Sequence, residues 1–246
     1  MNTTKLFVDK ITGEKYIQWT DGKFIELKDL DISELEELPA VAEKHTYKSF
    51  NYVENHSSLE ELLEKDWKLK DILYIPCGNK NIPFRVEHVT DEKVYLVSVD
   101  TVGKSTMNDM DEYLDNFLAK IPKAFLDICG EIEHKVNGCT IRKSKVTLLS
   151  YGNTTGCENC NSADDMQFAG LKTDAERCKN NANGETCWYW EDTPYNYEDW
   201  DEDALASNFT NFLYVNANGH PYYGANASYA AGVCPCLSIK KNKIIK

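Results

Sequence analysis

Arginine is scarce in this sequence of 246 residues, which has only Arg85, Arg142 and Arg177 and a formal net charge of −13. Proteins that bind duplex nucleic acid neutralise its phosphates with arginine and lysine, so this composition argues against a nucleic-acid partner. The sequence also lacks the run of about 18 apolar residues that a membrane-spanning helix requires, which argues against membrane insertion. Its first residues, MNTTKLFVDKITGEKY, lack the basic and apolar regions of a secretory signal. We therefore expect a chain that is made in the cytoplasm and is not exported through the Sec pathway.

Familiar catalytic motifs are missing as well. The sequence contains no G-x-S-x-G, no H-E-x-x-H and no P-loop, and its five histidines are scattered along the chain. Acidic residues are abundant, but their spacing does not select a glycosidase pair. The sequence therefore offers no catalytic residues, and we expect a protein that is not an enzyme.

The pattern of apolar residues predicts an α+β fold of short antiparallel strands with a few helices. Residues 5–27 contain runs of alternating polarity that are separated by two glycine turns, and this pattern predicts a small β-meander. The following segment, DLDISELEELPA, predicts a short helix. We assign residues 1–50 to an N-terminal attachment segment, because these pieces are too short to be stable alone. The main domain is predicted over residues 58–240, and residues 241–246 form a basic tail.

Within the main domain, a capping box of Ser58 and Glu61 predicts a helix near residue 59. Three strands are predicted at DILYIPC, IPFRVEHV and KVYLVSV, and two helices at DMDEYLDNFLAKIP and KAFLDICG. Short helices are predicted at ADDMQFAG and TDAERCKN. In the C-terminal third, the residue pattern predicts two strands joined by an Asn218-Gly219 turn and a final strand at VCPCLSI.

Nine cysteines, an odd number without a secretory signal, argue against a secreted disulfide framework. A C-x-x-C pair followed by two further cysteines could supply the four soft ligands of a structural zinc site, although the spacing of the second pair is irregular. The alternatives are disulfides formed after release from the cell and unpartnered thiols. The candidate zinc ligands are Cys157, Cys160, Cys178 and Cys187.

Asp199, Asp201 and Asp203 have the D-x-D-x-D spacing that begins a calcium-binding loop. The EF-hand pattern then fails, because Ala204 stands where the loop needs glycine and Thr210 where it needs glutamate. A looser calcium site and a solvated acidic loop are the two interpretations of this segment.

Aromatic and acidic residues are densest in CWYWEDTPYNYEDWDED, residues 187–203, and more aromatic residues follow in a segment rich in asparagine. Tyrosine and tryptophan offer large contact areas with few rotatable bonds, while asparagine and aspartate offer adaptable hydrogen bonds. This composition predicts an exposed recognition face, with Trp188 in the core. The predicted face consists of Trp190, Asp192, Tyr195, Asn196, Tyr197, Trp200, Asn218, His220, Tyr222, Tyr223, Asn226 and Tyr229.

The order of the segments KVTLLSYGN, DDMQFAGLKTDAERC, TCWYWEDTP, ASNFTNFLYVNANGHPYYG and AAGVCPCLSI resembles a domain of uncharacterised function that is common in phages, prophages and gut Firmicutes. That domain is similar in plan to C-type-lectin-like domains, including formylglycine-generating enzymes and the variable proteins of diversity-generating retroelements. The resemblance covers roughly residues 68–240. The chain differs from this family in two segments where the family has arginine-containing motifs. These segments are Glu191-Asp192-Thr193-Pro194 and Cys234-Pro235-Cys236.

The resemblance implies a C-type-lectin-like domain in a receptor-binding protein of a phage or prophage tail, made in the bacterial cytoplasm and carried on the virion. Its C-terminal face would bind a host cell-surface ligand, either a glycan or a protein, and residues 1–50 would attach it to a tail or baseplate component. Such modules work as oligomers, and we expect a homotrimer. A metal-dependent enzyme on the same fold and a structural tail-assembly protein are the alternatives.

Overall fold

The computed structural model describes residues 5–8, 15–18, 24–26, 59–195, 210–221 and 223–241. The chain divides into two compact units, Met1–Leu62 and Leu63–Lys246. Strands predominate among the described residues and five short helices accompany them, so the predicted α+β class is confirmed at this level. None of the helices in the described ranges has the length and apolar character to cross a membrane.

The first unit contains a three-stranded antiparallel sheet, which is the meander predicted over residues 5–27. Its strands are β1 (Lys5–Val8), β2 (Lys15–Gln18) and β3 (Phe24–Glu26), paired in that order. The two turns of the meander and the predicted helix DLDISELEELPA lie outside the described residues. Attachment through residues 1–50 stays a prediction.

Helices and strands follow from residue 59 onwards. The helices are α1 (Leu59–Glu64), α2 (Met110–Leu118), α3 (Lys123–Ile128), α4 (Tyr151–Thr155) and α5 (Asp174–Arg177). The strands are β4 (Ile72–Cys77), β5 (Lys80–Val89), β6 (Lys93–Ser98), β7 (Lys104–Ser105), β8 (Cys129–Gly130), β9 (Ile132–Val136), β10 (Cys139–Ser144), β11 (Val146–Thr147), β12 (Lys179–Asn180), β13 (Thr186–Cys187), β14 (Tyr189–Pro194), β15 (Asn211–Val215), β16 (Tyr223–Asn226), β17 (Ala231–Gly232) and β18 (Cys236–Lys240).

Two larger sheets make up most of the second unit. One has the strand order β11-β18-β6-β5-β4, with β8 also paired to β18. The other has the order β16-β15-β14-β17-β7, and only its β14–β17 pairing is parallel. Buried side chains from β6 and β18 of the first sheet join Tyr189 and Val215 of the second in one hydrophobic cluster. Burial of this shared cluster is what couples the two sheets, since apolar contact area is the main stabilising contribution to folding.

Most of the helices and strands predicted in this unit are present, but the predicted helix ADDMQFAG is wrong, because residues 163–170 form turns and bends. The side chains of Asp164 and Asp165 accept hydrogen bonds from the backbone N–H groups of Glu133 and Lys135, at 2.9 and 2.8 Å. Aspartate side chains that bond to backbone groups in this way compete with helix formation. Residues 163–170 are instead held to β9 by these hydrogen bonds. Neither β9 nor this contact was predicted from the sequence.

Candidate functional site

Strand β14 occupies the middle of the five-stranded sheet, and all six of its residues are buried. Trp190 is 0% exposed, and its indole Nε1 donates a hydrogen bond to the carbonyl oxygen of Ser105 at 3.0 Å. Tyr189, on the other side of the strand, is also fully buried, whereas Trp188 is only half-buried. Placing Trp190 on the exposed face was therefore wrong. The rings of Trp188 and Tyr214 pack against Trp190, and Tyr189 packs in the cluster that the two sheets share.

Asp192 was also predicted on the exposed face, and it too belongs to the interior. Its Oδ1 accepts a hydrogen bond from Nε of Arg142 at 2.6 Å, and its Oδ2 accepts one from the backbone N–H of Leu148 at 2.9 Å. Nη1 of Arg142 reaches outwards to Oδ1 of Asp111 at 2.5 Å. Burial by itself would lower the pKa of Arg142, but the two carboxylates outweigh it and raise that pKa. Arg142 therefore joins a buried carboxylate to an exposed one.

Glu191 lies between Trp190 and Asp192 in sequence. Its side chain has the least favourable polar environment of these three residues. Its Oε1 accepts a hydrogen bond from the hydroxyl of Thr154 at 2.6 Å, while its Oε2 has no hydrogen-bond partner among the described residues. Thr154 lies on α4, which a capping box of Ser150 and Asn153 fixes in place. Burial raises the pKa of Glu191 to about 7, against the lowering effects of Thr154 and of the Arg177 charge. The side chain is fully buried and is better explained as part of the core than as an exposed acid.

The raised pKa of Glu191 predicts a pH dependence of stability. Below its unfolded pKa of 4.5 the group is protonated in both states, and as the pH rises towards 7 only the unfolded state ionises, so the free energy of unfolding falls. At about 1.4 kcal/mol per pKa unit, this loss amounts to about 3 kcal/mol. Urea denaturation of wild type and Glu191→Gln at pH 5 and pH 8 should show that the variant loses less stability between the two values. Parallel pH profiles would contradict the prediction.

An exposed aromatic surface is present on the outer strands of the same sheet. Tyr214 on β15 pairs with Tyr223 on β16, and their rings stack at a centroid distance of 5.6 Å and an angle of 28°. The ring of His220 meets Tyr223 edge-on at 5.8 Å, and Trp188 meets Tyr214 edge-on at 4.8 Å. Tyr223 is 44% exposed. We call Tyr214, His220 and Tyr223 the tyrosine patch.

The loop that carries His220 is fixed in place by its own hydrogen bonds and by α5. Oδ1 of Asn216 accepts hydrogen bonds from the backbone N–H groups of Asn218 and His220, at 2.9 and 3.0 Å. Gly219 has a φ of +81°, and a Cβ there would lie 1.8 Å from the carbonyl oxygen of Asp174, so only glycine fits. Nε of Arg177 donates to the carbonyl oxygen of Gly219 at 2.8 Å. The tyrosine patch is thus preorganised, which reduces the entropy that binding would cost.

Tyr195 was predicted on the same face as Tyr223, but it lies on the other side of β16. A Cβ on Gly224 would lie 2.2 Å from the Tyr195 ring, so this ring packs directly on the glycine. Neighbouring residues of a strand point to opposite faces, so the Gly224 side is opposite to the Tyr223 side. Tyr229 is 60% exposed in the turn after β16, where Oδ1 of Asn226 accepts a hydrogen bond from the backbone of Ser228. The predicted face is therefore divided between several surfaces.

Several predicted residues cannot be placed in this geometry. Asn196, Tyr197, Trp200 and Tyr222 of the recognition face, and Asp199, Asp201 and Asp203 of the calcium loop, lie outside the described residues. Calcium binding by these aspartates therefore stays a prediction.

The four candidate zinc ligands are distributed over separate places. Cys157 and Cys160 lie on one turn and share a small hydrophobic cluster. Sγ of Cys178 approaches the carbonyl oxygen of Ala217 at 3.8 Å, whereas Sγ of Cys187 lies 3.8 Å from the hydroxyl of Thr101. Across the described part of the chain, no three His, Cys, Asp or Glu side chains come together to hold a metal ion. The structure therefore does not bring the four cysteines together.

Comparison with protein-family models, with curated proteins and with solved structures finds no match to this chain.

Tyr214 is the member of the tyrosine patch that the sequence analysis missed. The signal was present in NFLYV, where Phe212 and Tyr214 alternate with Leu213 and Val215. Since Leu213 and Val215 are buried at 0% exposure, the alternation places Phe212 and Tyr214 on the opposite face. Arg142, by contrast, gave no sequence signal, because both of its partners are distant in the chain.

Proposed function

We propose that this chain is a binding module, a receptor-binding protein of a phage or prophage tail, and that it recognises a glycan or protein on a bacterial surface. The observation that carries the proposal is the tyrosine patch, in which stacked aromatic rings are exposed on a loop and two strands with fixed geometry. Exposed tyrosine with neighbouring histidine and asparagine is the chemistry of adaptable recognition surfaces. Aromatic anchors at such surfaces supply most of the binding energy.

The architecture we propose for Leu63–Lys246 is C-type-lectin-like. Two sheets of short strands around a shared core support this plan. The resemblance to the phage and prophage domain supports a tail location, and residues 1–50 would provide the attachment. A homotrimer would let weak contacts at each patch add up through avidity.

Binding of fluorescently labelled full-length protein to a panel of intact bacterial strains tests the proposal. We expect at least one strain to be bound, and Tyr223→Ala to weaken that binding about tenfold or more, equivalent to about 1.4 kcal/mol. Tyr74→Ala is the matched control, because Tyr74 is 42% exposed on β4 of the other large sheet and should bind as wild type does.

Three outcomes would contradict receptor binding through the tyrosine patch. They are the absence of binding to every strain, equal binding by Tyr223→Ala and wild type, and equal weakening by Tyr74→Ala. Size-exclusion chromatography with light scattering on the same variants identifies an assembly role, because Tyr223→Ala would then change the oligomeric state. Metal analysis of the purified protein addresses the enzyme alternative, which a stoichiometric metal with an oxidisable cysteine pair would favour.

A further inference from the structure

A cleft of about 620 Å³ opens between the start of α2 and the ends of β15 and β16. This volume lies within the range of about 300–1,000 Å³ that is typical of small-molecule sites. Its lining residues are Met107, Asn108, Asp111, Thr210, Phe212, Asn226 and Ala227. Only Asn226 among them belongs to the predicted recognition face.

The walls of the cleft are joined by the backbone of Ala227. Its N–H donates to the carbonyl oxygen of Thr210 at 2.7 Å, and its carbonyl oxygen accepts from the N–H groups of Met107 and Asn108 at 2.9 and 3.3 Å. Three separate segments of the chain therefore meet at one residue that is 2% exposed. The backbone hydrogen bonds of Ala227 hold these three segments together around the cleft.

The lining combines apolar and polar groups in a way that matches a sugar ring. Met107, Phe212 and Ala227 are buried or half-buried and provide apolar surface. Asn108, Asp111 and Thr210 are exposed and can exchange hydrogen bonds with hydroxyl groups. A pyranose has the same division, with C–H groups on its faces and hydroxyl groups around its edge.

Asp111 is the group we expect to orient such a ligand. Its side chain is 85% exposed, but Nη1 of Arg142 fixes its Oδ1, and Arg142 is itself held by the buried Asp192. Oδ2 of Asp111 has no hydrogen-bond partner within the described ranges, so it can accept from a ligand hydroxyl. The three charges sum to −1, and the chain carries −13, so the local field disfavours an anionic ligand.

We infer that this cleft binds one uncharged pyranose ring of a glycan, with Asp111 as hydrogen-bond acceptor and Met107 and Ala227 on the apolar side. The inference rests on the proposed function and deepens it, because it selects a glycan over a protein as the ligand. Phe212 and Tyr214 project from the same face of β15, two residues apart, so the cleft continues directly from the tyrosine patch. A longer glycan could contact both.

Saturation-transfer NMR of the full chain with the methyl glycosides of glucose, galactose, mannose and N-acetylglucosamine tests the inference. We expect at least one of them to bind at millimolar concentration, and Asp111→Ala to weaken its binding at least tenfold. Asp115→Ala is the matched control, because Asp115 is exposed on α2 one turn further along and does not line the cleft. It should bind the sugar as wild type does.

The inference is overturned if none of the four glycosides binds or if Asp111→Ala binds as tightly as wild type. Cell binding by the same variants separates this failure from failure of the proposed function. Loss of cell binding in Tyr223→Ala with full binding in Asp111→Ala would leave the tyrosine patch as the receptor site and remove the cleft. The reverse result would leave the cleft as the glycan site and remove the patch.

Discussion

Replacing Arg142 with alanine is expected to lower the free energy of unfolding by about 3–5 kcal/mol, one of the two largest effects of any single substitution considered for this protein. The substitution leaves the carboxylate of Asp192 without its charged partner, and that side chain is 1% exposed. An uncompensated charge in this position must be solvated by rearrangement or be neutralised by protonation. Urea denaturation monitored by tryptophan fluorescence measures the loss.

Two further variants identify which half of the Arg142 network carries the effect. Asp111→Ala removes only the outer ion pair, in which Asp111 is 85% exposed, and should cost about 1 kcal/mol or less. The double variant Arg142→Ala with Asp192→Asn should recover part of the lost stability, because the buried charge is then gone. The explanation fails if Arg142→Ala costs no more than Asp111→Ala. The small cost expected for Asp111→Ala also makes it a clean probe of the cleft.

Replacing Trp190 with alanine is expected to cost a similar amount, about 3–5 kcal/mol, through a different mechanism. The indole is completely buried against Trp188 and Tyr214, with ring centroids at 5.2 and 6.3 Å, and its removal leaves a cavity at the centre of the five-stranded sheet. The carbonyl oxygen of Ser105 also loses its donor. Thermal or urea denaturation measures the loss.

Tyr223→Ala is the control for the Trp190 prediction, because it removes an exposed ring from the same row of aromatic residues. It should lower stability by about 1 kcal/mol or less while weakening binding. Trp190→Phe should fall between wild type and Trp190→Ala, since it keeps most of the ring contact but not the hydrogen bond. If Trp190→Ala weakened binding with no loss of stability, Trp190 would belong to the exposed face after all.

Local pattern predicted the elements whose contacts are close in sequence. The antiparallel strands β4, β5 and β6 follow one another directly, and their alternation and turns are visible in DILYIPC, IPFRVEHV and KVYLVSV. The helix α2 was likewise marked by apolar spacing, and the helix predicted at TDAERCKN contains α5. In these segments, tertiary contacts agree with local preference.

The errors at Trp190 and Asp192 have a common cause, which is that β14 is covered on both sides by distant segments. Tyr189 packs in a core cluster with residues of β6 and β18, and Arg142 reaches Asp192 from β10. A strand that is buried on both faces loses the alternation from which exposure is predicted. The polar sequence Glu191-Asp192-Thr193 therefore suggested an exposed face, although its side chains have hydrogen-bond partners inside the protein.

The position of β18 determines when this protein can fold. β18 lies between β11 and β6, and it pairs Cys236 with Val97. During synthesis on the ribosome, the edge of β6 that pairs with β18 therefore stays unpaired until residues 236–240 have emerged. Contacts over such a sequence distance slow folding and leave strand edges open to wrong partners in the meantime. A nascent chain that stops before β18 therefore exposes unpaired edges of β6 and β11, which are sites for aggregation.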